Sequence, residues 1–353
     1  MSIPGQDLIS EKLMSLFAGC GYTQYKMSKF EEYELYAENK AFLPSKSIIT
    51  FTDTDGRLMA LKPDVTLSIV KNFRDGITEK LYYKESVYRT DSNTSAFAEI
   101  AQAGIEYIGD VDVIGLSEVL TVAQLSLDSV SDRNVLDVSS LGLLSALLSK
   151  LGCDGETKAK LLHCIEHKNV HEAAAICDEA AVSEDNKALL IQIMTLDPDP
   201  DKACAVLCTL DVGGEWKAEA EKFSRVLSAL DKSKLRVDFS VLDDTNYYNG
   251  LIFRGYINGV PSAVLSGGQY DMLMRRLKKT SSAVGFAVYL DRLDGFAGKA
   301  AVPYYDTLLL YGKNTDAKAV TDVIKSSARS GRTVKTAKDM PENIKYGTLL
   351  DLR

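Results

Sequence analysis

The chain has 353 residues, of which 46% are hydrophobic and 25% are charged, a composition typical of an ordinary globular protein with room for two or three domains. Its formal net charge of -8 argues against a large nucleic-acid footprint, because neutralising phosphates requires a dense basic face. A single dense basic block, at residues 275–279, is expected to be the solvated end of a helix.

Membrane insertion and secretion are not expected either. No apolar run is predicted to approach the length of a membrane span, and Asp7, Glu11 and Lys12 lie where a signal peptide needs apolar residues. The six cysteines are spread thinly through the chain without a CxxC pair, so reduced thiols are expected. These features predict a cytoplasmic protein.

Hydrophobic periodicity and turn residues predict a mixture of helices and strands. Before residue 140 the expected elements are a helix ending at Gly21, strands at 30–36, 48–53 and 57–61, a helix at 65–73, strands at 81–88 and 99–108, a helix at 117–129 and a strand at 135–138. Residues 141–230 are almost entirely helical in pattern, as expected for an insertion. The later elements are strands at 235–242, 251–256 and 262–265, a flexible loop at Ser266-Gly267-Gly268, a strand entering a helix at 283–293 and, past Pro303, a strand at 307–311 and a helix at 316–330.

The stretch 81–109 is the most informative, because its second strand places polar groups on one face. Alternation along this strand puts Gln102, Gly104 and Glu106 on the same side. Two hydrogen-bonding side chains beside a glycine that leaves room above it suit a small polar ligand lying on the sheet. The alternative is a sheet face that is open to water.

Asp64 allows both a structural and a functional interpretation. It follows Pro63 at a predicted junction between a strand and a helix. A carboxylate at that position either caps the helix or holds the ammonium group of a ligand.

The three histidines, His163, His167 and His171, are four residues apart and would form one stripe on an unbroken helix, as some metal sites require. Lys168 and Asn169 are expected to break that helix, and no third-ligand pattern accompanies the stripe. No metal is therefore predicted. The sequence also lacks a GxSxG or comparable nucleophile turn, so a hydrolytic triad is not predicted.

Five motifs in the right order resemble the catalytic core of class II aminoacyl-tRNA synthetases of the histidyl type, over most of residues 1–295. These are the segment around Tyr88-Arg89-Thr90-Asp91, similar to motif 2, residues 283–293, similar to motif 3, Leu61-Lys62-Pro63-Asp64-Val65-Thr66, similar to the LRPEGT element, and Asn246-Tyr247-Tyr248-Asn249 and Gly267-Gly268-Gln269-Tyr270-Asp271, similar to the two histidine-binding signatures. The resemblance implies an α+β fold in which an antiparallel sheet is flanked by helices. It also implies four segments, namely a first core part at 1–140, a mainly helical insertion at 141–232, a second core part at 233–300 and a small C-terminal α/β domain at 304–353.

The same resemblance implies a pocket for free histidine. Asp64, Thr66 and Gln102 would hold the α-ammonium group, Glu106 would face the imidazole, and Tyr248 and Tyr270 would line or hydrogen-bond the ring. Asp64 is one methylene shorter than the glutamate typical of the synthetases.

The activating apparatus departs from the synthetase pattern. Forming an aminoacyl-adenylate requires cations around the ATP phosphates. Asp243 replaces the arginine that begins the synthetase RGLDYY element, and a carboxylate there would repel phosphate. Gln269 replaces the arginine usual in GGRYD, and the motif 2 loop at 94–98 lacks further arginines. Arg89 and Arg292 remain as a residual nucleotide site.

An amino-acid pocket without an activating apparatus, followed by too little sequence for a full anticodon-binding domain, resembles the regulatory-subunit family of short-form ATP phosphoribosyltransferase. This resemblance implies a subunit without activity of its own that activates a short catalytic subunit in the first step of histidine biosynthesis and conveys feedback inhibition by L-histidine. It further implies a homodimer within a hetero-oligomer, with no cofactor, and tRNA binding is not expected.

Three other functions stay open at this point. A working histidine-tRNA ligase would form histidyl-adenylate from ATP, and Asp243 is the feature that speaks against it. A free-standing paralogue would bind a different amino acid. A scaffold without a ligand would use Asp64, Gln102 and Glu106 only as satisfied polar groups.

Overall fold

The computed structural model describes residues 4–39, 43, 48–90, 96–242, 247–293, 304–341 and 344–353. The chain divides into two compact units, Met1–Phe296 and Ala297–Arg353. The four-segment division with boundaries near residues 140, 232 and 300 stays a prediction.

The described strands of the first unit form one large sheet and one small sheet. In chain order they are β1 (Thr23–Gln24), β2 (Phe30–Glu32), β3 (Thr50–Thr52), β4 (Leu58–Leu61), β5 (Glu79–Thr90), β6 (Phe97–Gly109), β7 (Asn134–Ser140), β8 (Leu235–Val237), β9 (Leu251–Ile257), β10 (Leu265–Gln269) and β11 (Ser282–Tyr289). The large sheet has eight strands in the order β1-β5-β6-β11-β10-β9-β7-β8, and the small sheet has the order β2-β4-β3. Neighbours from β5 to β7 are antiparallel, whereas the edge pairs β1–β5 and β7–β8 are parallel. The α+β fold is confirmed, with parallel edges that the sequence did not predict.

Several helices of the first unit begin after a capping side chain, whereas others have an N-cap residue without such a hydrogen bond. In chain order they are α1 (Pro4–Gly19), α2 (Tyr33–Glu38), α3 (Thr66–Asn72), α4 (Val113–Val130), α5 (Leu141–Lys150), α6 (Gly155–Glu166), α7 (Val170–Glu179), α8 (Glu184–Met194), α9 (Pro200–Thr209), α10 (Trp216–Ser228) and α11 (Asp271–Arg276). Helices α5 to α9 each start after a side chain that accepts a hydrogen bond from the first turn, namely Ser140, Asp154, Asn169, Ser183 and Asp199. The helical block after residue 141 is confirmed.

The large sheet is covered differently on its two faces. Helices α1 and α4 pack on one face, where the ring of Phe17 contacts Tyr82 of β5 and Phe286 of β11. On the opposite face, α3 and α11 contribute to a buried cluster with Tyr83 and Tyr270. The candidate site lies on this second face.

Helix α4 corrects one prediction from the sequence. It is long and apolar enough to cross a membrane by length and composition, whereas no run of that kind had been expected. Half of its apolar window is buried inside the protein, against α1, α10 and strands of the large sheet. The helix therefore serves as a core element of this fold, which explains its apolar composition.

Several predicted strands differ from the structure. The strand predicted at 48–53 covers only Thr50–Thr52, and the strand predicted at 262–265 begins at Leu265 as part of β10. Only Phe30–Glu32 of the segment 30–36 is a strand, because Tyr33–Glu38 forms α2 and turns the Tyr36 side chain into the core. The strand predicted at 235–242 ends at Val237, since Asp238 accepts hydrogen bonds from the backbone and hydroxyl of Ser240 and closes a turn.

Ser266-Gly267-Gly268 is part of strand β10 rather than a flexible loop. It is paired on both sides, with β9 and β11. A Cβ atom on Gly267 would lie 2.4 Å from Phe286 Cβ, and one on Gly268 would lie 2.7 Å from the Tyr248 ring. The glycines are therefore required by aromatic side chains that cross the strand on both faces.

The second unit is a small parallel βαβ structure. Its described elements are β12 (Tyr304–Leu310), α12 (Ala317–Arg329), β13 (Val334–Ala337) and β14 (Lys345–Asp351). The strands are parallel in the order β13-β12-β14. The strand predicted at 307–311 and the helix predicted at 316–330 are confirmed.

Candidate functional site

A cavity of about 330 Å³ lies on the second face of the large sheet. The cavity is lined by all six residues that were predicted to bind histidine and by one of the two predicted nucleotide-site arginines. These residues are Asp64, Thr66, Arg89, Gln102, Glu106, Tyr248 and Tyr270. The predicted alternation of β6 is confirmed, because Gln102 and Glu106 line the same cavity.

Glycines on two strands make space for the functional side chains. A Cβ atom on Gly285 of β11 would lie only 1.8 Å from Oε2 of Glu106, its register partner on β6. A Cβ atom on Gly104 would lie 2.6 Å from the hydroxyl oxygen of Tyr83. The space above Gly104 is thus filled by Tyr83, which forms part of the cavity wall. Gly285 leaves the space that the Glu106 carboxylate occupies.

Glu106 is the centre of a buried hydrogen-bond network. The hydroxyl of Thr66 donates to its Oε1 at 2.6 Å, and the hydroxyl of Tyr270 donates to its Oε2 at 2.6 Å. Glu106 is only 1% exposed. Burial raises its pKa to about 8, even though both hydrogen bonds favour the carboxylate and lower it. A ligand that places positive charge beside this carboxyl group would therefore stabilise its ionised form.

Asp64 fulfils the capping role that the sequence allowed, and its side chain also lines the cavity, as the binding role requires. Its Oδ1 accepts a hydrogen bond from the backbone N–H of Leu67 at 2.7 Å, which fixes the start of α3. Its Oδ2 lies 4.0 Å from Nη2 of Arg89. Burial raises the pKa of Asp64, and the nearby Arg89 guanidinium only partly offsets this effect. A second carboxyl group in the cavity thus lacks full charge compensation.

Arg89 is held at the wall of the cavity by contacts with the chain. Its Nε donates to the backbone carbonyl of Pro63 at 2.8 Å, and its guanidinium faces Asp64. Among the described residues that line the cavity, Arg89 is the only lysine or arginine. The cavity is thus lined by two carboxyl groups, those of Asp64 and Glu106, and by one guanidinium group. This excess of carboxyl groups suits a cationic ligand.

Arg292 lies apart from that cluster and does not line the cavity. Its guanidinium stacks over the ring of Tyr289, 4.1 Å from the ring centroid, and Nη1 donates to the backbone carbonyl of Ala263. Tyr289, at the end of β11, itself lines the cavity. The structure therefore brings the six histidine-site candidates and Arg89 together, and leaves Arg292 at the rim.

Gln269 occupies a position that is tied to α11. Its Nε2 donates to Oδ2 of Asp271 at 2.8 Å, and Oδ1 of Asp271 accepts from the backbone N–H of Ala283. Gln269 is 7% exposed and does not line the cavity. Asp243, Asn246 and residues 94 and 95 of the motif 2 loop lie outside the described residues, whereas Phe97 and Ala98 begin β6.

Four aromatic lining residues were not among the predicted site residues, namely Tyr83, Tyr247, Phe286 and Tyr289. The burial of Tyr83 and Tyr247 raises the pKa of each phenol well above its usual value. Tyr83 could have been found only from the register between β5 and β6, which pairs it with Gly104. A single sequence does not reveal that register.

Comparison with known proteins identifies the family. The histidyl-tRNA synthetase family model matches residues 6–293. A relative from Lactococcus lactis subsp. cremoris, named ATP phosphoribosyltransferase regulatory subunit, is 29% identical over 292 residues, which cover 81% of this chain and 90% of the relative. A relative of the same name from Oceanobacillus iheyensis is 24% identical and covers 81% of this chain and 72% of its own length.

Solved structures share the fold. A protein from Bacillus halodurans described as an ATP phosphoribosyltransferase regulatory subunit/histidyl-tRNA synthetase has a TM-score of 0.77 at 20% identity, over 98% of this chain and 93% of that one. A chain of the ATP phosphoribosyl transferase complex from Thermotoga maritima has a TM-score of 0.64 at 19% identity, over 80% of this chain and 96% of that one. This chain therefore belongs to the histidyl-tRNA synthetase family, within which the relatives from L. lactis and O. iheyensis carry the name of a regulatory subunit.

Proposed function

We propose that this chain is the non-catalytic regulatory subunit of a short-form ATP phosphoribosyltransferase, and that its cavity binds L-histidine as the feedback signal. The carrying observation is the cavity that joins Asp64, Glu106 and Arg89 on one sheet face. The names of the relatives support the assignment to histidine biosynthesis, as does the likeness in fold to a chain of the Thermotoga maritima complex.

Free histidine complements the charges of this cavity. Its α-ammonium group would lie against Asp64, with Thr66 and Gln102 beside it. Its imidazole would face Glu106, which already collects hydrogen bonds from Thr66 and Tyr270. Because both carboxyl groups are buried and incompletely compensated, a ligand with a cationic ammonium group and an imidazole that can bind a proton would offset their desolvation. A purely apolar amino acid would offer Glu106 no interaction beyond its hydrogen bonds from Thr66 and Tyr270.

The arrangement of arginines supports a subunit without adenylation activity. Adenylate formation needs free cations where negative charge develops on the phosphates. Arg89 already contacts the Pro63 carbonyl and faces Asp64, and Arg292 contacts the Ala263 carbonyl and stacks over Tyr289. Both guanidinium groups are thus engaged with groups of the chain itself, which supports a chain that would hold the amino acid without activating it.

The proposed role requires a catalytic partner. Histidine bound in the cavity would inhibit the enzyme only if it binds one arrangement of the complex more tightly than the other, and the partner would in turn change the affinity for histidine by the same factor. We place the chain in the cytoplasm, as a homodimer within a hetero-oligomer with the short catalytic subunit.

Titration of the purified chain with L-histidine, with and without ATP and Mg²⁺, tests the ligand. Pyrophosphate exchange on the same sample tests adenylation. Histidine binding without exchange is the expected result, whereas exchange would establish the histidine-tRNA ligase instead. Binding of a different amino acid would point to a free-standing paralogue, and absence of any binding to a scaffold.

The partnership needs a separate assay. The short catalytic subunit should form phosphoribosyl-ATP slowly by itself and faster after addition of this chain, and L-histidine should then reduce the rate. A control with Asp64→Asn should still activate the partner but should lose the inhibition by histidine. Failure to activate any short catalytic subunit would contradict the regulatory role.

A further inference from the structure

The end of helix α6 carries a cluster of metal-ligating side chains that the proposed function does not use. His163, Glu166 and His167 each offer a ligand atom, and these atoms all lie within 4.8 Å of one another. Among the residues that the structure describes, this is the one group of three such side chains with that proximity. We propose that these three residues bind a divalent transition-metal cation of the zinc type.

The geometry of the helix produces the cluster. Residues three and four positions apart lie on one face of a helix, so positions 163, 166 and 167 project together. Cys164, between them in sequence, points the other way and is 1% exposed, so its thiol is not a ligand. The break predicted at Lys168 and Asn169 is confirmed, because α7 starts at Val170 and His171 belongs to that second helix.

The second histidine is already oriented for a metal. The backbone carbonyl of His163 accepts a hydrogen bond from the His167 backbone N–H at 3.1 Å, and Nδ1 of His167 lies 2.9 Å from the same oxygen. A proton on Nδ1 donates to that carbonyl and leaves the lone pair of Nε2 free for coordination, the arrangement common among metal-binding histidines. The rings of His163 and His167 lie side by side, with centroids 4.2 Å apart.

The surrounding charges also favour a cation. The cluster lies at the C-terminal end of α6, where the helix dipole carries partial negative charge. Lys168, which follows directly, adopts a positive φ of 54° and directs its ammonium to Asp238 Oδ2 at 2.7 Å. That ion pair anchors the turn after the helix. It also pairs the Lys168 ammonium group, which follows the cluster in sequence, with a carboxylate outside the cluster.

The ligand set indicates the class of metal. Two imidazoles and one carboxylate, with further positions open to water, match a zinc site of the open type. Imidazole ligands favour Zn²⁺, Ni²⁺ and Cu²⁺ over Mg²⁺ and Ca²⁺, which prefer oxygen. The three side chains are exposed. A metal bound to them would connect residues of the last turn of α6 and would stabilise the end of that helix.

Metal titration of the full chain tests the proposal. The protein must be free of a polyhistidine tag and of added histidine, because both chelate the probe. We expect one Zn²⁺ or Co²⁺ per chain, and a Co²⁺ spectrum without the near-ultraviolet band of thiolate ligands. His163→Ala and His167→Ala should each weaken binding by at least about tenfold, while His171→Ala, on the neighbouring helix, should bind like the wild type.

Several results would overturn the site. Equal Zn²⁺ binding by the wild type and by His163→Ala, or a thiolate band in the Co²⁺ spectrum, would assign the metal to the cysteines or to scattered surface groups. Glu166→Gln serves as the milder variant, since it keeps the size of the side chain and should weaken binding less than loss of a histidine. Unchanged circular dichroism of each variant would show that lost binding does not result from lost folding.

Discussion

The cavity and its rim treat charged side chains in opposite ways. Inside the cavity, Asp64 and Glu106 are buried with raised pKa values and are incompletely compensated. At the rim, the Arg292 guanidinium is exposed, donates to the Ala263 carbonyl and stacks over the Tyr289 ring. A buried carboxyl group without full compensation is costly, and a ligand that brings positive charge would offset that cost, whereas an exposed guanidinium costs little.

With the proposed function, this contrast would explain how one fold keeps recognition and loses chemistry. Recognition of an amino acid needs a few side chains fixed on adjacent strands, and β6, β10 and β11 supply such a frame. Activation needs cations that are free to meet the phosphates in the transition state. Arginines engaged with groups of the chain itself would weaken the second property without disturbing the first.

The largest effect is expected from Gly285→Ala. The new Cβ atom would lie 1.8 Å from Glu106 Oε2 and 2.5 Å from the Ile105 backbone carbonyl, so the carboxylate must leave its position. We expect histidine binding to be lost and the free energy of unfolding to fall by about 1–3 kcal/mol. Calorimetric titration and urea unfolding measure the two effects.

The matched control is Gly19→Ala, whose Cβ meets nothing within 4 Å at the end of α1. It should keep wild-type histidine affinity and lose no stability. Retained binding in Gly285→Ala would mean that Glu106 does not contact the ligand from its present position.

Asp64→Asn should have the next largest effect. The amide retains an oxygen that accepts from the Leu67 N–H, so α3 should start normally, but the negative charge facing the ligand ammonium is removed. Histidine affinity should fall by roughly 100-fold, the usual scale for losing one partner of a buried charge pair. Titration of Glu99→Gln, at an exposed position on β6, should give the wild-type affinity. An equal loss in both variants would contradict a specific role for Asp64.

Glu106 should also make stability depend on pH. Its pKa of about 8 in the native state exceeds its ordinary value of 4.5, so the folded protein binds the extra proton between these values. The free energy of unfolding should therefore decrease as pH rises from about 4.5 to 8, by at most about 1.4 kcal/mol per pH unit. Glu106→Gln should flatten this slope in histidine-free urea unfolding at pH 5 to 8. An unchanged slope would assign the titration to other groups.

The sequence predicts those parts of the site that depend on local order. Alternation along β6 correctly placed Gln102 and Glu106 on one face, and the junction before α3 correctly drew attention to Asp64. The sequence did not predict which strands are neighbours, because register and strand order depend on pairing between distant segments. For that reason Ser266-Gly267-Gly268 was interpreted as a loop, and Tyr83 and Tyr289 were missed as lining residues.

The smallest effect should come from Arg292→Ala, and comparison with Arg89→Ala sharpens the contrast between the cavity and its rim. Arg89 faces Asp64 within the cavity and lowers the pKa of that carboxyl group, so its loss should leave Asp64 more protonated and weaken histidine binding by about tenfold. Arg292 lies outside the cavity lining, so its loss should change the affinity by less than about twofold. Titration of both variants, with pyrophosphate exchange measured in parallel, decides the matter. In a working ligase both arginines would serve ATP, and Arg292→Ala would abolish an exchange activity that the wild type possesses. A regulatory subunit has no such activity to lose, so histidine affinity should depend on Arg89 alone of the two.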